Sequence, residues 1–307
     1  MKIQVFLIIL FFQFCFILNS KDENYVVGVF DIEQTFRAER ILDGGFRAND
    51  VELFVNGERI NFNMLYRFPK VGTYIIIYIF KVYVQNMNFL FHNCESLISL
   101  DLSNLDTKYL VSMDSTFRQS KKLRSINFGN FDTSKVTYFG GTFMDCESLT
   151  SLDLSRFDTS SAIDMRNMFQ GFQSMISLDL SHFRTHNVRN MFFMFSRSKS
   201  LVTINLSRFN TRNVNNMRFM FNGCTSLTNL NLKSFDTSNV YSMTNMFRNC
   251  QSLRQLDLSN FNVNKVRDMS YMFFGCSSLR LLRFRYNCNG KRCGNMLDGC
   301  PAQVNNF

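Results

Sequence analysis

The chain has 307 residues, of which 46% are hydrophobic and 19% charged, so it has enough apolar material for a core and is unlike a disordered polypeptide. The formal charge of +10 is unevenly distributed. Residues 21–58 contain nine acidic and four basic residues, whereas residues 59–307 contain 15 acidic and 29 basic ones. The main body is therefore basic and the segment before it acidic.

The first 20 residues have the pattern of a secretory signal peptide. One Lys precedes an apolar run over residues 5–18 that only Gln13 interrupts. This run is shorter than the ~20 apolar residues of a transmembrane helix, although an uncleaved signal anchor remains an alternative. The remainder contains no second spanning run and no hydrophobic tail. We expect a secreted or surface-exposed protein with at most peripheral membrane contact.

Residues 21–64 are predicted to form a leader and a β-hairpin cap. Two strand-like segments, 51–55 and 58–62, flank Asn56 and Gly57. An Asn-Gly pair adopts the positive φ angles that a two-residue hairpin turn requires. The hairpin is expected to cover the open end of the repeats that follow.

A 26-residue repeat organises the rest of the chain. A Phe recurs with this spacing, without insertion or deletion, at Phe91, Phe117, Phe143, Phe169, Phe195, Phe221, Phe247 and Phe273. The apolar residues of segment 71–87 fall one period earlier, which places the start of the array near residue 65. A fixed period of this length predicts a solenoid, which we assign to residues 65–286.

Each coil is predicted to combine a short parallel β-strand with a short α or 3₁₀ helix. In the copy at 252–277, Leu256 and Leu258 alternate with polar residues, as in a strand with one buried face. The later apolar residues have helical spacing, at Val266, Met269, Met272, Phe273 and Cys276. The expected fold is an α/β solenoid: a right-handed, leucine-rich-repeat-like array of about nine coils.

The units at 146–160 and 224–247 carry a family resemblance. The second reads Cys-Thr-Ser-Leu-Thr-Asn-Leu-Asn-Leu-Lys-Ser-Phe-Asp-Thr-Ser-Asn-Val and continues to a Met-Thr-Asn-Met-Phe segment. They resemble the BspA-like leucine-rich repeat surface proteins, in particular the mycoplasma-type 26-residue variant. The resemblance implies an extracellular, non-enzymatic protein that adheres to host, matrix or cell surfaces. The chain departs from the lipoprotein members because no lipobox precedes Cys15.

Two functional hypotheses follow. The first is a secreted or cell-surface protein that mediates adhesion or recognition of an extracellular protein or acidic glycan. The second is a coat or matrix component that self-associates without a specific ligand. We expect no enzyme, no cofactor and no nucleic-acid partner, since no catalytic, phosphate-binding or reading motif is visible.

Short polar residues at the outward side of the predicted strands form a candidate ligand-binding stripe. Its members are Asp101, Asp153, Asp179, Asn205, Asn231 and Asp257. The alternative is that small polar side chains only keep this face soluble. Calcium between neighbouring Asp residues is a lesser alternative, and no metal site is predicted because no calcium-ligand spacing is present.

Segment 184–218 is basic and contains no acidic residue. Its members are Arg184, Arg189, Arg197, Lys199, Arg208, Arg212 and Arg218. Stacked coils are expected to gather these side chains into a basic band that attracts acidic glycans, anionic lipids or acidic proteins. A solvated basic face is the alternative.

Apart from Cys15 in the predicted signal peptide, the eight other cysteines fall into two groups. Five share one repeat column and are interpreted as buried thiols beside the Phe column: Cys94, Cys146, Cys224, Cys250 and Cys276. Cys288, Cys293 and Cys300 belong to a predicted C-terminal cap at 287–307 and are disulfide candidates. Pairing of Cys288 with Cys293 is the leading arrangement, with Cys276 as a partner for Cys300.

Overall fold

The computed structural model describes residues 24–305, so the segment predicted as a signal peptide lies outside the described residues. Within 24–305 the chain forms short β-strands and turns and contains no helix. The strands are β1 (Tyr25–Ile32), β2 (Glu39–Arg40), β3 (Val51–Val55), β4 (Glu58–Ile60), β5 (Leu65–Tyr66), β6 (Gly72–Phe80), β7 (Leu97–Asn104), β8 (Ser125–Asn127), β9 (Ser177–Asp179), β10 (Thr203–Asn205), β11 (Gln255–Asp257), β12 (Leu281–Arg283) and β13 (Gln303–Asn305).

The predicted Asn-Gly hairpin is present and belongs to the largest sheet. Strands β3 and β4 pair antiparallel around Asn56 and Gly57, whose φ angles are 48° and 87°. These angles are those of a turn that matches the twist of the flanking strands. The sheet has the order β4-β3-β6-β1-β7-β8, in which only β7 and β8 are parallel.

Segment 71–87 is predicted to form the first coil and to stack on the next one, but its strand β6 does not pair with that coil. It pairs antiparallel with β3 and β1, and β1 lies between β6 and β7. Ile75, Ile77 and Ile79 pack into a small separate cluster on one face, whereas Ile76 and Tyr78 belong to the main core on the other. Both faces of β6 are apolar, so both must be covered. A regular coil covers only one face of its strand, and β6 therefore lies in a sheet with β1 and β3.

From residue 86 onward the chain stacks in register. Parallel bridges join equivalent residues of successive coils at Asn86, Ser112, Tyr138, Asp164, Asn190, Asn216, Ser242, Asp268 and Arg292. Strand pairs follow the same register, as in Ser99↔Ser125 and Thr203↔Ser177. The last step is shorter, since Asp268 pairs with a residue 24 positions later.

The Phe column is the centre of the core, as predicted. Every member is fully buried. Successive rings lie almost parallel, with centroids 5.4–6.2 Å apart. A second ladder of stacked rings runs through Phe183, Phe209, Phe235 and Phe261. One continuous cluster extends from Val26 to Met296, so each coil is stabilised mainly by its neighbours.

The helix predicted in each coil is wrong, and with it the α/β solenoid. In the coil of Phe117, Ser115 and Gln119 have φ angles of 56° and 61°. Left-handed residues four apart interrupt a right-handed helix. The Thr116 N–H donates to a carbonyl three residues back, whereas the Phe117 N–H donates to Thr142 of the next coil over 2.9 Å. The segment is therefore a run of overlapping turns whose remaining N–H groups bond between coils.

A signal for these turns is present in the sequence. Most coils place Asn, Asp or Gly two residues after the ladder Phe, and each has a positive φ: Asn93, Asp145, Gly171, Gly223, Asn249 and Gly275. Gly299 follows Leu297 in the same way. These residue types tolerate the left-handed region best. Helical spacing of the apolar residues was misleading because a repeated turn also returns side chains to the core every three or four residues.

No segment of the described chain forms a helix that is long and apolar enough to cross a membrane.

Replacing Gly171 with Ala is expected to lower the free energy of unfolding by about 1–2 kcal/mol, the cost of a left-handed L-residue. Gly171 has φ +80°, and an added Cβ would lie 3.3 Å from the Cα of Asp145 and closer still to its carboxylate. Gly294→Ala is the control, because no atom lies within 4 Å of the added Cβ and its φ is outside that region. Urea denaturation measures both, and equal midpoints would contradict the turn geometry.

Candidate functional site

In the predicted ligand-binding stripe, Asp179, Asn205 and Asp257 end strands, Asp101 lies within β7, and the other two members lie outside the strands. All six side chains bond to the nearby backbone. In all six members the Oδ1 atom accepts the N–H two residues later, over 2.9–3.2 Å. Hydrogen bonds from the side chain and backbone of Ser259 lower the pKa of Asp257, and those from the backbone and side chain of Ser155 and Ser181 lower the pKa of Asp153 and Asp179. Each of these side chains therefore stabilises the local backbone of its own coil.

The stripe is not one continuous row of paired strands. Strand pairing joins Asp179 to Asn205, but in residues 24–305 Asp153 lies outside the strands and no bridge joins Asn231 to Asp257. Open depressions of about 280 and 380 Å³ occur at these two interruptions. In the described chain no group of three or more His, Cys, Asp or Glu side chains is arranged to hold a metal ion.

The cations of the predicted basic band do not share a repeat column. Equivalent places on neighbouring coils are 26 residues apart, and no two of the seven cations have that separation. Arg197 extends toward Asp145, with 3.5 Å between guanidinium and carboxylate. Arg184 and Arg212 contribute, after local hydrogen bonds, to the lowered pKa of Asp158 and Asp236 respectively. No two of the seven cations therefore stack directly on one another.

Of the three C-terminal disulfide candidates, the structure pairs Cys288 with Cys293. Cys300 is half-buried and has a free thiol. The five column cysteines are also free, and all are buried.

Four of the five column cysteines donate a hydrogen bond to a carbonyl of the Phe column, and the fifth, Cys94, donates to the His92 carbonyl. The Cys146 thiol donates to the Phe117 carbonyl over 3.1 Å, and the Ser120 hydroxyl donates to Phe91 over 2.6 Å. Apart from Cys94, Ser and Cys side chains in this column therefore donate equivalent hydrogen bonds to the backbone of the preceding coil. Burial raises the pKa of the Cys224 thiol to about 12, so it is protonated and unreactive at neutral pH.

A surface that the sequence reasoning missed lies along the left-handed turns. We call it the aromatic–arginine surface: Phe192, Phe193, Arg218, Phe219, Arg248, Tyr271 and Phe274. Phe193 stacks on Phe219 with 4.4 Å between ring centroids. The Arg218 guanidinium lies 5.8 and 5.9 Å from the rings of Phe219 and Phe192. Two aromatic rings therefore hold one cation at the surface.

The same arrangement continues two coils further. The Arg248 guanidinium lies 4.8 Å from the ring of Phe274 and 5.5 Å from that of Tyr271. It also donates to the side chain of Asn245, which occupies the place between Phe219 and Tyr271 in their repeat column. The surface thus spans the coils of Phe195, Phe221, Phe247 and Phe273.

A column comparison could have revealed this surface. Phe193, Phe219 and Tyr271 stand where other coils have the small or polar residues Ser115, Gly141, Asn167 and Asn245. Residues that change within a column are free of the packing that keeps the core columns constant. The abundance of Phe in the core columns concealed these outer ones.

Two overlapping segments of the chain, 85–204 and 194–303, match the sequence profile of the family described as "Mycoplasma protein of unknown function, DUF285". Together they cover more than half of the chain. The protein belongs to this family. No curated protein and no solved structure matches the chain. Membership in DUF285 leaves the function open.

Asp179→Ala is expected to lower the free energy of unfolding by about 0.5–1 kcal/mol and Asp179→Asn to lower it less, because only Ala removes the acceptor for the Ser181 N–H. The lowered pKa of Asp179 also means that its carboxylate stabilises fully above the unfolded pKa and loses this effect as pH falls through the folded value. Denaturation at neutral and acid pH measures both effects. Equal losses in the two variants would contradict this stabilising role.

Thiol titration of the native protein without residues 1–20, which removes Cys15, is expected to label Cys300 and none of the five column cysteines when Ellman's reagent is added at pH 8. Burial keeps the column thiols protonated and shielded. All six react after denaturation. Cys300→Ser is the control that abolishes the native reaction, and labelling of two or more native thiols would refute the assignment.

Proposed function

We propose that this protein is a secreted or surface-displayed recognition protein, whose aromatic–arginine surface binds a protein partner. The observation that carries the proposal is the stacking of Arg218 and Arg248 on aromatic rings at the surface. Aromatic residues and Arg are the residue types enriched at protein interfaces and in their hot spots.

The chemistry of this surface defines its partner. Among the described residues no carboxylate forms an ion pair with Arg218, and Arg248 bonds to a neutral amide. Stacking restrains each guanidinium, so less conformational entropy is lost when its N–H groups meet a ligand. A protein with carboxylates beside an apolar patch complements this surface.

An extracellular location is supported by two features. The first 20 residues have the pattern of a secretory signal peptide. Cys288 and Cys293 form a disulfide, and disulfides persist mainly in oxidising compartments.

The double variant Arg218→Ala with Arg248→Ala is expected to weaken partner capture about thirtyfold, the effect of losing about 2 kcal/mol at a hot spot. Surface plasmon resonance against a panel of purified extracellular matrix proteins measures the affinity. Arg184→Ala with Arg212→Ala is the matched control, since it removes the same charge from exposed positions elsewhere.

Three results would contradict the proposal. The first is that the wild-type protein binds no member of the panel. The second is that both double variants lose affinity equally. The third is that the Arg218 and Arg248 variant keeps its affinity. Sedimentation velocity tests whether the partner is a second copy of this chain. Concentration-dependent oligomers that the Arg218 and Arg248 variant no longer forms would identify a second copy as the partner.

A further inference from the structure

A second exposed surface lies at the last two coils, where four cations gather. Lys265 and Arg267 belong to one coil, and Lys291 and Arg292 belong to the loop that Cys288 and Cys293 close. We call this surface the C-terminal basic groove. Asp268 is the acidic residue in its lining.

The shortened last repeat brings these cations together. Asp268 forms a parallel bridge with Arg292, and the Arg292 N–H donates to the Arg267 carbonyl over 2.9 Å. Two arginines thus occupy adjacent positions on neighbouring coils. The disulfide fixes the loop that carries Lys291 and Arg292, and Gly290 turns it with φ +69°.

Neutral oxygen atoms hold the two lysines in place without cancelling their charge. Lys265 Nζ donates to Asn239 Oδ1 over 2.6 Å, and Lys291 Nζ donates to the Val263 carbonyl over 2.8 Å. Asp268 accepts the Ser270 N–H over 2.9 Å. Within residues 24–305 no carboxylate forms an ion pair with any of the four cations. Like charges held together in this way attract an external anion.

The groove also offers groups that suit a sugar. It consists of two adjoining depressions of about 690 and 510 Å³ that share Arg267, Gly290 and Lys291. Amide side chains of Asn264 and Asn289 line one of them. Tyr241 is 45% exposed at the same place. The lining therefore combines cations, amides and an aromatic ring.

We propose that the C-terminal basic groove binds an acidic glycan. Arg267, Arg292 and the two lysines pair with its sulfate or carboxylate groups, because guanidinium and ammonium groups form charge-assisted hydrogen bonds with these anions. The amides pair with sugar hydroxyls, and the Tyr241 ring packs against the apolar face of a sugar. The proposal shares the extracellular setting with the proposed function but uses none of the residues of the aromatic–arginine surface.

Binding of the purified full-length protein to heparin tests the proposal. Arg267→Glu with Arg292→Glu is expected to weaken heparin affinity at least about tenfold and to reduce its salt dependence, because two cations no longer release counterions. The matched control is Arg189→Glu with Arg212→Glu, which makes the same charge change. Arg189 lies in the repeat column of Arg267, three coils earlier. We expect the control double variant to retain its affinity for heparin within about twofold. Melting temperatures of both variants verify folding.

A second variant separates glycan recognition from simple charge attraction. Tyr241→Ala is expected to weaken binding to heparin but not to inorganic polyphosphate, which has no sugar ring. Equal losses for the two double variants, an equal effect of Tyr241→Ala on both polyanions, or single-stranded DNA bound as tightly as heparin would each overturn the proposal. The Arg218 and Arg248 variant retains heparin binding, so failure of the protein-recognition proposal is distinguishable from failure of this one.

Discussion

The structure depends on hydrogen bonds that pass from each coil to the next in a fixed register. In the turn segment, the N–H of Phe117 reaches Thr142 and the N–H of Phe143 reaches Met168. A single coil cannot satisfy these groups, and unpaired buried backbone groups are costly. The same register stacks the Phe rings, so backbone pairing and core packing impose one repeat length and stabilise the array cooperatively.

The shared register divides the positions of each coil into inward ones that form the core and outward ones that are available for binding. Positions that point inward repeat the same residue type, because each must fit against its copy in the neighbouring coil. Outward positions lack that requirement and vary. Arg218 between two Phe rings and Arg267 beside Arg292 arise at such variable positions, where the stacking brings together side chains that are about one repeat apart in the chain. Both proposed binding surfaces are therefore products of stacking rather than of local motifs.

The candidate residues chosen from the sequence show where such reasoning succeeds and fails. The Phe column and the buried cysteines were predictable, since an apolar residue at a constant spacing is most simply explained by burial. Asp179 was chosen as an outward polar residue, but its hydrogen bond to the Ser181 N–H depends on backbone geometry. The basic segment 184–218 is contiguous in sequence, yet its cations fall in different repeat columns, so no two of them stack directly on one another.

The sequence by itself determined the repeat length, the identity of the buried columns and the hairpin at Asn56 and Gly57, because periodicity and turn chemistry act over short distances. Only the tertiary structure decided that β1 lies between β6 and β7, since the order of strands depends on which distant surfaces need cover. It also decided that turns replace the predicted helices. Side-chain spacing reports burial but not the sign of φ, and in each coil the bonds to neighbouring coils hold the left-handed residues in place.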